Sequence, residues 1–214
     1  MRIIYLDTSS SFLYAGLVED NKILSSITKD FGKDLSTNTL YEIRNLFNES
    51  NLSPKDVDKI IVVNGPGSFT GIRIGLTIAK TYAWSLNIPI TTISSLEAMA
   101  LSNSGYDYYI PVIDARRGNV YAGIYDKDYN AILTDRYINF EELENKVKRF
   151  TESKVIITNN DIKSVLKIQK YEPDILKIVN YYKNKESVNP HGIDALYLKL
   201  TEAEENKLKM NRDD

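Results

Sequence analysis

Cysteine is absent from the 214 residues. That removes disulfides, thiol nucleophiles and thiolate zinc sites together, and it fits a reducing compartment. Histidine occurs once, as His191, between Pro190 and Gly192 in a turn. Two metal-binding histidines one helical turn apart therefore cannot be built, and a Ser-His-Asp triad would have to recruit that one residue. Ser68, with Gly67 before it and Gly71 three residues on, does not form the G-x-S-x-G elbow of a hydrolase. An excess of positive charge is also lacking: the net charge of −2 gives this chain no overall electrostatic drive towards nucleic acid. No apolar run approaches the ~20 residues of a membrane span. The segment Met1–Asp7 is interrupted too soon to act as a signal peptide. A soluble, cytoplasmic protein with no membrane association is the expectation, and 43 % hydrophobic with 26 % charged residues suits a globular core. The length allows one large domain or two small ones.

What is present is organised around one glycine-dense stretch, Gly65-Pro66-Gly67-Ser68-Phe69-Thr70-Gly71-Ile72-Arg73-Ile74-Gly75. The β-branched run Ile60–Val63 feeds it, and it opens into an apolar segment reaching Leu86, the layout of a strand-to-helix turn. It lacks the Lys-Ser/Thr pair of a Walker loop, and its glycine spacing only partly matches a dinucleotide fingerprint. Either it grips a phosphate or it sets a helix against a sheet. Two apolar stripes run along that helix: Ile72, Leu76, Ala79, Ala83 and Leu86, then Ile74, Ile78, Tyr82 and Ser85. One stripe suffices to cover a sheet, so the second is either further core or a contact for another molecule.

Taken in order, Ile3–Leu6, Phe12–Val18 and Lys22–Ile27 read as a three-strand meander. Leu35–Glu49 reads as an amphipathic helix with Leu35, Thr39, Ile43, Leu46 and Phe47 on one stripe. Ile88–Ile93 is a strand, and Ser94 and Ser95 precede a short helix at Leu96–Ala100. Ser102–Gly105 marks a boundary. Beyond it the pattern returns: strands at Tyr109–Asp114, Asn119–Tyr125 and from Ala131, a helix over Phe140–Phe150, a strand at Val155–Thr158, and a short helix over Ile162–Ile168. The repeat is one of element order, and it implies two similar α/β subdomains, 1–104 and 105–200, facing each other across a cleft, with a charged tail at 201–214. Each half opens with a strand ending on aspartate, Asp7 and Asp114, before a turn. Asp7, Thr8, Ser9, Asp114 and Arg116 are thus candidate phosphate or metal contacts, and capping of the turn backbone is the competing reading. Gly192 is the only glycine after Gly123, so the second half carries no late glycine-rich loop to close on a phosphate.

The segments Ile3–Ser9, Gly65–Gly75, Ser95–Ala98, Val112–Tyr121 and Leu196–Leu198 closely resemble the TsaB family, whose members act in bacterial synthesis of threonylcarbamoyladenosine in tRNA. The resemblance spans nearly the whole chain in family order. It implies an actin/sugar kinase/Hsp70-like (ASKHA) fold of two subdomains and a non-catalytic role beside the catalytic paralogue TsaD, with the ATPase TsaE as a further partner. The modified base would be the adenosine next to the anticodon in tRNAs reading codons that begin with A. It further implies a glycoprotease-like kinship without the metal-binding histidine pair, no tightly bound cofactor of this chain's own, and ATP used within the complex. tRNA would be met only through that complex. Helices of the first subdomain would contact the paralogue or, in a homodimer, a second copy; Leu40, Ile43, Phe47, Ile74, Ile78 and Tyr82 are the residues so placed. An independent ATP-binding phosphotransferase or a metallopeptidase of the same fold are the alternatives.

Overall fold

The computed structural model describes residues 1–199; the charged tail anticipated over 201–214 lies outside the described residues. The chain opens with β1 (Arg2–Asp7), β2 (Phe12–Glu19) and β3 (Lys22–Asp30), paired antiparallel. The β2–β3 turn rests on Asp20 and Asn21 at φ 45° and 69°, the left-handed pair a two-residue hairpin favours. β3 runs beyond Ile27 because pairing with β2 continues to Phe12 opposite Asp30, ladder bonds outweighing the polar Lys29 and Asp30. Then come α1 (Leu35–Glu49), β4 (Lys59–Val63), α2 (Phe69–Leu86), β5 (Ile90–Ile93) and α3 (Ser95–Leu101). β4 lies parallel to β1 and β5, giving the order β3-β2-β1-β4-β5.

The second half repeats this plan. β6 (Tyr108–Asp114), β7 (Asn119–Asp126) and β8 (Ala131–Asn139) form a meander. After α4 (Phe140–Val147) come β9 (Lys154–Ile157) and β10 (Ile168–Gln169), in the order β8-β7-β6-β9-β10. The expected two-subdomain α/β architecture is therefore present as two five-stranded sheets of one topology. Residues 162–168 do not form the anticipated helix. Ser164 turns its hydroxyl to the backbone N–H of Leu166 and to Glu144, competing with helical bonds, while Ile162 and Leu166 lean on the core beneath α4. A helix the sequence reading passed over, α5 (Ile175–Tyr182), follows, with Asp174 accepting from the Lys177 N–H at its start.

Strand alternation sorts the first sheet into two faces. Ile4, Leu6, Leu13, Leu17, Ile60 and Val62 meet α1 and α2, while Ile3, Tyr5, Tyr14, Val18, Ile61 and Val63 meet α3, α5 and part of the second sheet. α5 is coded in the second half yet packs on the first sheet: Ile175 reaches Gly16 of β2 closely enough that a side chain there would crowd it. Its last turn is held by Lys59, whose buried ammonium donates to the carbonyls of Tyr182, Lys183 and Lys185. The chain then runs back along the first half. Val188 bridges to Ile90, the Leu196 N–H donates to the Asn64 carbonyl at 2.7 Å, and Tyr197 stacks on Phe69 at 5.4 Å. Across the junction, Asp135 of β8 accepts from the Tyr125 hydroxyl at 2.6 Å and from Ser94, the residue that caps α3. No helix among the described residues is long and apolar enough to cross a membrane.

Candidate functional site

The two strand-end turns meet across a cleft of about 740 Å³. Asp7, Ser9, Ser10 and Ser11 line it from the β1–β2 side, and Asp114, Ala115 and Arg116 from the β6–β7 side. Each aspartate is held by the same local device, with one Oδ1 accepting from the N–H two residues on: Ser9 at 2.8 Å and Arg116 at 2.9 Å. Asp7 is buried at 2 % exposure, and loss of water pushes its carboxyl above the ordinary aspartate range against the pull of the Ser9 N–H. Arg116 and Arg117 sit at φ 68° and 56° ahead of Gly118 at 73°. Left-handed backbone costs a non-glycine residue ~1–2 kcal/mol, so this turn is strained at two arginines, of which Arg116 faces the cleft.

Of the five turn candidates, Asp7, Ser9, Asp114 and Arg116 reach the cleft and Thr8 does not. Thr8 is fully buried, and its hydroxyl donates to the Gly71 carbonyl at 2.7 Å. That bond explains the glycine stretch. A Cβ at Gly67 would strike the carbonyl of Ser9, one at Gly71 the carbonyl of Thr8, and one at Gly75 the Thr8 side chain. The Ser68 N–H donates to the Ser9 carbonyl at 2.7 Å, and the Ser68 hydroxyl accepts from Gly71 N–H. The start of α2 is thus packed and hydrogen-bonded onto the β1–β2 turn, and the space the glycines leave is filled by backbone oxygens of the same chain. An anion has no free cradle there.

Further cleft residues come from segments the sequence reading did not assign to a site: Phe12, Tyr14, Asp30, Tyr121, Asn159, Asn160 and Tyr171. Asn160 Oδ1 accepts from the Asp114 N–H, and Asn159 joins the halves, accepting from the Tyr171 N–H and donating to the Tyr14 hydroxyl. A signal for these existed in the repeat itself. Thr158-Asn159-Asn160 follows β9 as Asn64 follows β4, and the carboxyl ends of parallel strands face the ligand crevice in open α/β sheets.

The outer face of α1 and α2 is the second candidate surface. Ile43 is 0 % exposed and Phe47 3 %, and Ile78 is buried as well, so within this chain these three pack into the core, beneath the exposed surface of the two helices. The reason is that α1 and α2 sit side by side over one sheet face, which consumes part of the second stripe. Leu40 is 57 % exposed, and Ile74 and Tyr82 are half-buried. α2's two charges are both engaged with the returning chain: Arg73 Nε donates to the Tyr197 hydroxyl at 3.1 Å and Lys80 to the Ile193 carbonyl at 2.8 Å. Uncharged Thr77, Thr81 and Trp84 remain exposed beside Ile74 and Tyr82.

Comparison with known proteins places this architecture. The family model described as TsaD, tRNA N6-adenosine threonylcarbamoyltransferase, matches residues 21–184. A Bacillus subtilis protein named tRNA threonylcarbamoyladenosine biosynthesis protein TsaB is 34 % identical over 95 % of this chain and 96 % of its own length. A Buchnera aphidicola relative of the same name is 29 % identical over 83 % of this chain and 89 % of its own. Among solved structures, YeaZ from Pseudomonas aeruginosa superposes with a TM-score of 0.77 at 21 % identity, covering 92 % of this chain and 99 % of that one, and so shares the fold. With a doubled sheet order, glycines packed against the first aspartate turn, and a full-length match at this identity, the chain belongs to the TsaB family.

Proposed function

We propose that this protein is a non-catalytic subunit for making threonylcarbamoyladenosine in tRNA, and that it binds and activates a TsaD-type transferase. The relatives' name gives the pathway, and the outer face of α1 and α2 supplies the observation that carries the partner. That face holds Leu40, Ile74 and Tyr82; the α2 part of it is uncharged because the two charges of α2 are turned to the returning chain, while α1 brings Arg44 one turn from Leu40. A surface with an apolar centre and few charges is suited to a protein partner. In this reading the transferase acts on the adenosine next to the anticodon of tRNAs reading A-starting codons. A TsaE-type ATPase joins the assembly, ATP is used there, and tRNA is met through the complex. Without the transferase, the same face pairs two copies of this chain.

Co-purification with the transferase tests the reading. The double variant Leu40→Glu, Ile74→Glu should abolish the complex while its melting temperature stays near that of the parent, because both side chains lie outside the fully buried core. An intact complex would overturn the assignment of the face. Depletion in the native host should lower threonylcarbamoyladenosine in tRNA; unchanged levels would overturn the pathway.

A further inference from the structure

Among the described residues, the exposed aromatic side chains are Tyr41, Phe69, Trp84 and Tyr197, and all of them lie on α1, α2 or the returning chain. Trp84 is the one tryptophan of the sequence and stands 67 % exposed. Rings of this size left in water forfeit the burial that large apolar side chains ordinarily gain, and a group of them marks a surface that another molecule covers.

The returning chain lies antiparallel along one flank of α2. Tyr197 meets Phe69 and Arg73 at the start of the helix, the Ile193 carbonyl accepts from Lys80, and His191 meets Trp84 edge-on at 6.1 Å near its end. Phe69, Arg73, Lys80 and Trp84 recur at helical spacing and so share that flank. Ile74 lies on the flank towards α1, with Thr77 and Thr81 between the two. The α1 and α2 face therefore continues across uncharged side chains onto the returning chain. A stable complex buries ~800 Å² of each partner. Leu40, Ile74 and Tyr82 are too few to provide that, and the aromatic flank adds apolar area.

This flank is also held in place. Leu196 and Leu198 line a groove with Tyr125 and Asp135, and the alternation of an extended chain sends Tyr197 outward between them. There the Arg73 guanidinium sits 3.7 Å from the centre of the Phe69 ring while its Nε donates to the hydroxyl of Tyr197, which stacks on the same ring. The three side chains fix one another, so little freedom is lost when a partner seats on them. On α1, Arg44 lies 5.4 Å from the Tyr41 ring. Tryptophan, tyrosine and arginine are the residue types that dominate binding energy in protein interfaces. Glu42 is engaged with Lys29, whereas no ion pair among the described residues involves Arg44 or Arg73. Against these two cations, residues 191–199 carry one carboxylate, Asp194.

Resting on the reading of α1 and α2 as the partner face, we infer that the returning chain is a third component of that face. Trp84 and Tyr197 are its anchors, and the transferase presents to it an apolar surface with carboxylates opposite Arg44 and Arg73.

The dissociation constant of the full chain with the native host's transferase, measured by surface plasmon resonance, tests this. Trp84→Ala and Tyr197→Ala should each weaken binding by about tenfold or more. The double variant Arg44→Glu, Arg73→Glu should bind more weakly, with slower association that no longer falls as salt rises. Ile132→Ala, an exposed apolar site on β8, should leave the constant unchanged. Tyr197→Phe keeps the stacked ring and loses only the bond to Arg73, so it should retain most of the affinity. Thermal melts of each variant separate a lost contact from a loosened returning chain. If Leu40→Glu, Ile74→Glu abolishes the complex while Trp84→Ala and Tyr197→Ala bind like the parent, the α1 and α2 face stands and this inference falls. If the Leu40 and Ile74 double variant leaves the complex intact, the face itself falls. Unchanged affinity and salt dependence in Arg44→Glu, Arg73→Glu would overturn the assignment of carboxylates to the partner.

Discussion

The two halves share a strand order and differ in what covers it. The first sheet carries α1 and α2 on one face and α3 and α5 on the other; the second has α4 on one face and shares α3 and the central core on the other. The connection between β4 and β5 is an 18-residue helix, α2, whereas that between β9 and β10 is an irregular stretch ending in a two-residue strand. A parallel pair needs a crossover of a dozen or so residues to carry a helix, and the second half provides fewer. What the first half gained, or the second lost, is the element bearing both the glycine stretch and the uncharged outer face. Similar topology therefore does not distribute surfaces evenly: the cleft draws on both halves, and the uncharged outer face lies only where the crossover is complete.

The sharpest way to break this comparison is at one glycine from each half, the first packed against backbone and the second in the open. Gly71→Val places its first side-chain carbon on the Thr8 carbonyl and should cost more than ~4 kcal/mol, enough to unfold a marginal domain. Gly118→Ala, in the β6–β7 turn of the second half, meets only Asn139 Nδ2 at 3.8 Å and should cost ~1–2 kcal/mol, the ordinary penalty of φ 73° for a residue with a Cβ. Urea unfolding of the two variants reads the difference directly; similar costs would mean the glycines do not serve close approach.

A second contrast lies in the lysines that open the fourth strand of each sheet. Lys59 is buried and donates to three carbonyls at the end of α5, so Lys59→Met should destabilise by ~2–3 kcal/mol, the worth of charge-assisted bonds left unmade. Lys154 is only half-buried and donates to the Phe150 carbonyl, and Lys154→Met should cost under ~1 kcal/mol. Equal effects would place the α5 tie outside the main supports of the fold.

The smallest effect concerns the paired aspartates. Burial raises the Asp7 carboxyl, so the folded state holds its proton more tightly than the unfolded chain. Its favourable contribution is complete below the unfolded value of about 3.9 and is lost as pH rises through the raised folded value. Exposed Asp20, Asp56 and Asp107 run the other way, their carboxyls held low chiefly by hydrogen bonds from the N-terminal amine, Ser53 and Ser153. Asp7→Asn isolates the first trend: it should raise the melting temperature at pH 8, leave it little changed at pH 4, and flatten the profile between. Asp114→Asn, at an exposed strand end, should change stability by less than ~0.5 kcal/mol. A steeper profile in Asp7→Asn would contradict the burial argument.

Much of this was written in local pattern. The five buried positions of α1 are the stripe read from Leu35 to Phe47, and the strands of both meanders start within a residue or two of their apolar runs. Ser94 caps α3 as its sequence suggests. What local pattern missed depends on distant contacts. Ile162, Leu166 and Ile168 have helical spacing, but Ser164 and the short reach to β10 favour an irregular path. α5 carries Ile175, Ile178, Val179 and Tyr182 on one face, a readable stripe whose destination on the first sheet no periodicity specifies. The aspartate turns were visible, while the aromatic wall of Phe12, Tyr14, Tyr121 and Tyr171 emerges only when both halves close on one space. Burial of Ile43, Phe47 and Ile78 likewise follows from α1 lying against α2, a fact of packing rather than of either helix alone.

The returning chain has a consequence for how the molecule is made. A ribosome releases the first sheet well before α5 and residues 188–199, yet those late residues cover one face of that sheet, accept from Lys80 and pair with Ile90 and Asn64. Until they emerge, Ile3, Tyr5, Val18 and Ile61 lack part of their cover, and Lys59 has no carbonyls of α5 to meet. The first half is born early and finished last. Its folding is therefore tied to contacts of long sequence separation, which form slowly and leave apolar surface open in the meantime. Nascent chains stalled before residue 175 should be more susceptible to proteolysis than chains stalled after residue 199 has cleared the ribosome.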